Sequence, residues 1–360
     1  MTAIGTIDTV PMDSRLRGND EVSYHNRKRT ERVWVSAKAR SWLPWELAFA
    51  VLLLALLAWG GVALSAGQDA LWIVLVIATF PIISAVAQSG IERLLPPAGP
   101  RKSFRSWLLH LQVNTFFAFA RTSFVVAAFL GCSALARQFG FELGLFDIRF
   151  GTGQGLAIMI ASLWFASILG DFFFYWYHRW THENLFLWQH HKMHHTDREL
   201  EAISTARQNW MEALFDGIFI AAPMIILFKV DPADQWSAGL TAGLAAALLS
   251  NLLTLSHMNV RWQVGWFSRF WCSPQVHRIH HSLEPQHINK NYAFQFPMWD
   301  VIFGTYVHPK KDEFPATGLA DEPGFDGFWE AEIYSQREMV RYIRKRRASA
   351  DRGQTSSLSS

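Results

Sequence analysis

Cysteine is almost missing from this chain: Cys132 and Cys272 are the only two in 360 residues. Neither a disulfide framework nor a CxxC zinc site can be assembled from them, so any metal must be carried by histidine. The HExxH spacing, which gives a zinc-dependent hydrolase its water-activating carboxylate, is absent as well. Charge is lacking over two long stretches, residues 47 to 66 and 71 to 88. A helix needs about 20 mostly apolar residues to cross a bilayer, which makes both stretches spans rather than parts of a soluble core. A large basic excess is also absent. The net charge is +3, and the basic residues lie beside apolar runs and in the tail, where orientation and contact with anionic headgroups account for them. A nucleic-acid partner is excluded on that ground.

Half of the residues are hydrophobic, with 17 Trp and 28 Phe. Further apolar runs cover 108 to 136 apart from Arg121, 156 to 177 apart from Asp171, 213 to 228 apart from Asp216, and 238 to 255 with no charge. The run from 213 is short, and the Asp231-Pro232 turn after it predicts a hairpin with the next helix. The expected architecture is all-α: an integral membrane helical bundle of four to six spans. Lys28, Arg32, Lys38 and Arg40 precede the first span, and Arg93, Arg101, Lys102 and Arg105 follow the second. Both segments are therefore expected in the cytoplasm. Alternation then brings all the histidine clusters to a cytoplasmic helical cap, and the basic tail agrees.

Residues 1 to 44 are polar and without helical or strand period, which predicts a disordered extension with no functional role. The expected membrane-embedded domain is 45–343, and a basic disordered tail fills 344–360. No fixed-period repeat occurs.

Ten of the 14 histidines fall between residues 178 and 281. His178 and His182 stand four apart, on one face of a helix. His194 and His195 follow His191 by three and four residues, and His277, His280 and His281 repeat that spacing. Any one of these alone reads as a satisfied interface histidine. Together they present eight imidazoles to a common centre, more than one ion can use. Two ions with about four imidazoles each fit the count, and imidazole suits iron, copper, nickel and zinc alike.

These residues carry a resemblance. The run Asp171-Phe-Phe-Phe-Tyr-Trp-Tyr-His178-Arg-Trp-Thr-His182, then Leu187-Trp-Gln-His-His191-Lys-Met-His194-His195-Thr, then Ser273-Pro-Gln-Val-His277-Arg-Ile-His280-His281-Ser, then Trp299-Asp-Val-Ile-Phe-Gly-Thr305, resembles the fatty acid hydroxylase/sterol desaturase superfamily over residues 165 to 308. The resemblance implies a di-iron centre (two Fe ions), O2 as co-substrate, and hydroxylation or desaturation of a lipid such as a sterol, fatty acyl chain or ether lipid. By the same resemblance the eight histidines become iron ligands. His257, at the end of the last apolar run, matches a position where the superfamily often places another.

Asp171, Glu183 and Glu212 are the expected acceptors for imidazole N–H groups, orienting the rings and tuning the metal. His190 faces about 100° away from His191 on a helix and is expected beyond the ligand layer or at the surface. His110 is expected far from the site, with His287 and His308 at the surface or in hydrogen bonds. Arg121 either pairs with Asp171 or Asp216 or reaches to the interface. Many relatives carry Arg-x-His-Pro-x-Glu after the second cluster, whereas this chain reads Arg207-Gln-Asn209-Trp210-Met-Glu212. Asn209 there resembles the alkylglycerol monooxygenase subset. The Gly151, Gly153, Gly155 run has no strand before it and reads as a loop rather than a dinucleotide fingerprint, so electrons are expected from a separate reductase or carrier. The rival reading is a zinc-dependent hydrolase of the membrane interface.

Overall fold

Helices account for the regular structure. The computed structural model describes residues 69–145, 156–228, 255–262, 264–320, 322 and 324–357. The expected extension 1–44, the apolar run 47–66, the glycine run 151–155 and nearly all of the run 238–255 lie outside the described residues. Among the described residues there is no named strand; Ser282 and Thr317 form an isolated bridge.

Helix α1 (Asp69–Leu94) contains the expected span 71–88. Helix α2 (Phe104–Phe139) starts at Ser103, whose side chain accepts the Ser106 N–H, and stops at Gly140 with φ 69°. That left-handed conformation costs glycine nothing. Helix α3 (Leu156–Glu183) carries His178 and His182 in its last turns. Asn184 then breaks the chain in an extended conformation and caps α4 (Leu185–His195) by accepting the N–H groups of Phe186 and Leu187. The break turns the second histidine stripe back onto the first.

Helix α5 (Trp210–Asp216) passes through a π turn, Gly217–Ala221, into α6 (Ala222–Leu227). Two helical stretches among the described residues are long and apolar enough to cross a membrane: Phe104–Phe139 and Trp210–Leu227. They approach closely at Gly217, where an added Cβ would stand 3.1 Å from the Phe124 Cβ. Small residues allow this kind of backbone approach between apolar helices. One turn away Arg121 Nε meets Asp216 Oδ2 at 3.0 Å, so of the partners open to Arg121 the fold selects Asp216.

Further helical elements among the described residues include the 3₁₀ turn Gly265–Arg269, α7 (Pro274–His280), α8 (Met298–Phe303) and the long α9 (Phe328–Ser357). The last runs well past residue 344, so the tail expected to be disordered is helical as far as Ser357. Its register is set by packing. Leu109 and Val113 of α2, Met193 of α4, and Phe325, Ala331 and Tyr334 form one buried apolar cluster. Lys192 of α4 adds ion pairs to Glu322 (2.8 Å) and Glu338 (2.7 Å).

Candidate metal centre

Nine imidazoles converge in two adjoining groups. His178, His182, His191, His195 and His280 form one, and His194, His257, His277 and His281 form the other; within each group the ligating nitrogens all lie within 4.8 Å of one another. Local geometry delivers them in pairs. The four-residue interval on α3 presents His178 and His182, the 191/195 interval on α4 serves the first group, and His194, three residues after His191, crosses to the second. Helix α7 likewise divides its imidazoles, giving His280 to one group and His277 and His281 to the other.

The tautomers show what these groups are suited to hold. His178 Nδ1 lies 2.6 Å from the Tyr292 carbonyl oxygen and His280 Nδ1 2.9 Å from that of Lys290. A carbonyl only accepts, so each Nδ1 carries the proton and each Nε2 offers a lone pair. His191 Nδ1 meets the Glu212 carboxylate at 3.1 Å, which assigns it the same way. His178 Nε2 and His191 Nε2 then face each other at 3.0 Å, lone pair to lone pair. The buried Nε2 atoms of His182 and His280 have no hydrogen-bond partner. Such an arrangement is repulsive without a cation and favourable around one, so the donor set fits metal ions. In the second group Nε2 contacts of 3.4, 3.3 and 3.0 Å link His194 to His257, His257 to His277, and His277 to His281.

Burial, reinforced by the neighbouring imidazoles, pushes His182, His194, His195, His277 and His281 well below the ordinary histidine range. Burial takes His257 and His280 down to about 3. These rings are neutral at pH 7, the form that binds metal. All-imidazole groups carry no charge of their own. Bound cations would keep their full positive charge, unlike in a carboxylate-rich site.

A second layer of contacts holds the rings. Glu212 accepts His191 Nδ1–H, stands 3.1 Å from His190 Nε2, and accepts the Tyr177 O–H at 3.1 Å. Of the three expected acceptors it is the one that touches an imidazole. Asp171 instead accepts three backbone N–H groups, from Phe294 (3.0 Å), Gln295 (3.1 Å) and Phe296 (2.8 Å). Glu183 lies 44% exposed and pairs with Arg179 at 2.8 Å, one helical turn back. Neither matches the imidazole-acceptor role expected for it.

Asp171 acts at one remove. The loop it grips follows Tyr292, whose carbonyl fixes His178. Asp300 grips the other side, accepting the N–H groups of Tyr292 (2.7 Å) and Ala293 (2.9 Å) and the Thr305 hydroxyl (2.7 Å). Thr305 also bonds the Tyr175 hydroxyl at 2.9 Å. The Trp299-to-Thr305 motif thus serves to aim one carbonyl. Sequence spacing contains no sign of that contact, because the residues involved lie over 100 positions apart.

His190 takes, of the two places expected for it, the one beyond the ligand layer rather than the surface. It is buried, 1% exposed, between Tyr177 and Glu212. Its only signal was its neighbour. His110, expected far from the site, stands 3.5 Å from Asp197, two residues beyond His195. His287 is buried and bonds Ser282 at 2.9 Å, while His308 meets the Tyr306 hydroxyl at 2.9 Å. Asn209 is fully used as a structural residue: its oxygen accepts the N–H groups of Met211 (2.9 Å) and Glu212 (3.4 Å), and its amide donates to Ser335. Where many relatives place a histidine, this chain places the cap of the helix that carries Glu212.

Residues 163–305 match the fatty acid hydroxylase family, in agreement with the resemblance read from the motifs. The chain is 29% identical over 152 residues to an ornithine lipid hydroxylase of Rhizobium tropici, covering 42% of this chain and 44% of that protein. It is 31% identical over 156 residues to an alkylglycerol monooxygenase of Xenopus tropicalis (42% of this chain, 31% of that protein). The alkylglycerol monooxygenase of Homo sapiens is 31% identical over 146 residues (40% and 30%). The matched stretch spans less than half the length of each of these relatives. No solved structure matches.

Proposed function

We propose that this protein is a membrane-bound, O2-dependent di-iron oxygenase that hydroxylates, or desaturates, a lipid. The observation that carries the reading is the pair of adjoining all-imidazole groups with lone pairs facing inward. The family match and the lipid-hydroxylating relatives support it. His178, His182, His191, His195 and His280 would hold one ion, and His194, His257, His277 and His281 the other. Two iron ions bound there would supply the reduction of dioxygen and the oxidation of an unactivated carbon–hydrogen bond.

The chain's own residues do the rest. Glu212, Tyr292 and Lys290 hold protons on Nδ1 and so aim the Nε2 lone pairs inward. Tyr177 has two duties: its hydroxyl bonds Glu212, and its ring lines an open cavity of about 470 Å³ with Phe173, Trp176, Trp180 and Phe219. That apolar lining suits a lipid tail. The proposed domain is 45–343, with four to six spans, the site in a cytoplasmic cap, and electrons from a separate reductase or carrier.

Metal content decides between this and a zinc-dependent hydrolase. The detergent-purified protein should contain two iron ions per chain and consume oxygen when given reductant and lipid. Tightly bound zinc with no oxygen consumption would overturn the proposal.

A further inference from the structure

Helix α9 presents three distinct faces. Ala331, Tyr334, Ser335, Glu338 and Met339 are buried. On the far side Trp329, Ile333, Val340 and Ile343 are exposed by 63, 54, 46 and 38%. At about 100° per residue they fall within an arc of about 80°. Cations dominate what remains. Residues 337 to 347 hold Arg337, Arg341, Arg344, Lys345, Arg346 and Arg347 against a single acid, Glu338. The Glu338 carboxylate is held by Lys192 at 2.7 Å and by Arg341 of the same helix. Scattered exposed apolar residues are ordinary, but an apolar stripe interrupted only by half-buried Gln336 and flanked by arginines marks a helix that lies in a headgroup layer.

Its placement agrees. Phe328 packs edge-on against Phe116 of α2, with ring centroids 5.5 Å apart. Helix α2 changes character just beyond that contact. Leu108, Leu109, Val113, Phe117 and Ala118 are buried, whereas Val126, Leu130, Leu135 and Phe139 are exposed. About two turns further along α9, Ser335 bonds Asn209, the cap of α5. Both apolar stretches long enough to cross a membrane therefore meet the first turns of α9 near where their exposed lengths begin.

We propose that α9 lies in the plane of the membrane surface, with the stripe from Trp329 to Ile343 immersed and its arginines on anionic lipid headgroups. This rests on the reading of α2 and α5–α6 as membrane-crossing, and it is independent of the metal chemistry. Through Lys192 and Glu338 the lipid-bound helix is tied directly to α4, which carries three of the nine imidazoles.

Nitroxide labels test it on the full chain in nanodiscs, with Cys132→Ser as background. Labels are placed singly at Val340→Cys, Lys345→Cys and, on α2, Leu130→Cys, and their relaxation by dioxygen is compared with that by a water-soluble nickel chelate. In discs containing phosphatidylglycerol, Val340 should be reached by dioxygen and shielded from nickel, and Lys345 the reverse. Replacing the anionic lipid by phosphatidylcholine, or Arg344→Glu, should raise nickel access at Val340 by about fivefold per cation lost from the surface. A nickel-accessible Val340 in anionic discs overturns the proposal, as does shielding from both reagents, which would mean that a second copy covers the stripe. Shielding that ignores lipid charge overturns the role of the arginines. If Leu130 itself is reached by nickel, the membrane reading of α2 has failed; if Leu130 is lipid-facing and Val340 is wet, the proposal for α9 has failed by itself.

Discussion

Glu212→Gln should weaken one metal site and spare the other. The Glu212 side chain is buried and takes three polar neighbours: His191 Nδ1, His190 Nε2 and the Tyr177 hydroxyl, each at 3.1 Å. A carboxylate can accept from all of them. The amide keeps one acceptor oxygen, and its NH2 cannot take the proton that His191 Nδ1 presents. A hydrogen bond to a charged acceptor is worth about 1.5–3 kcal/mol, and a neutral one about half of that. Weakening it lowers the basicity of His191 and loosens its ring, and losses of this kind cost about 10–100-fold in metal affinity. His191 belongs only to the group with His178, His182, His195 and His280. Anaerobic titration with iron(II) against chelators of graded affinity should therefore show one ion bound about 10–100-fold more weakly and the other unchanged. Equal weakening of both ions would point to general unfolding, and an unchanged titration would mean that Glu212 does not position His191. Either result refutes the reasoning.

Glu332→Gln tests a different kind of burial. Burial, partly offset by the Trp210 amide, pushes Glu332 up to about 8. The folded chain thus holds a proton that the unfolded chain releases near pH 4.5, so stability falls as pH rises from about 4.5 to 8. The glutamine variant should melt higher than the parent, with a gain that grows across that window to roughly 4 kcal/mol; a gain independent of pH would refute this. Lys102→Met strands the buried Asp197 carboxylate, to which Lys102 Nζ stands 2.6 Å away, and should cost about 3–5 kcal/mol in chemical denaturation. A loss under 1 kcal/mol would show the pair to be dispensable. Asn209→His, which restores the residue common among relatives, should add no third ion in metal analysis and should lose about 1 kcal/mol of stability with the cap. An extra bound ion would show that position 209 faces the metals.

The histidine spacing is the most local information in the chain, and it was legible. Intervals of three and four residues dictate a shared helical face whatever surrounds the helix, so nine imidazoles could be named from spacing, order of motifs and resemblance. Apolar length was readable for the same reason, and helices α1, α2 and α3 lie where the runs predicted. Helix α9 was the exception. Its composition is polar and basic, and only packing against α2 and α4 makes its first turns ordered.

Carboxylates were not legible in the same way. From sequence Asp171 stood out, as a carboxylate inside an apolar run, while Glu183 follows His182 directly and Glu212 lies 17 residues after His195. The fold sends Asp171 to three backbone amides, leaves Glu183 on an exposed Arg179, and sets Glu212 between His190 and His191. The hydrogen-bond partners of Asp171 lie up to 125 positions away in the chain, and helical periodicity carries no information over such distances. Sequence by itself determined that two clusters of imidazoles would form on a membrane-type helical protein, because spacing and hydrophobic length act within single helices. Which ring joins which cluster, which acid holds it, and that Asn209 serves as a cap were decided only when the helices packed against one another.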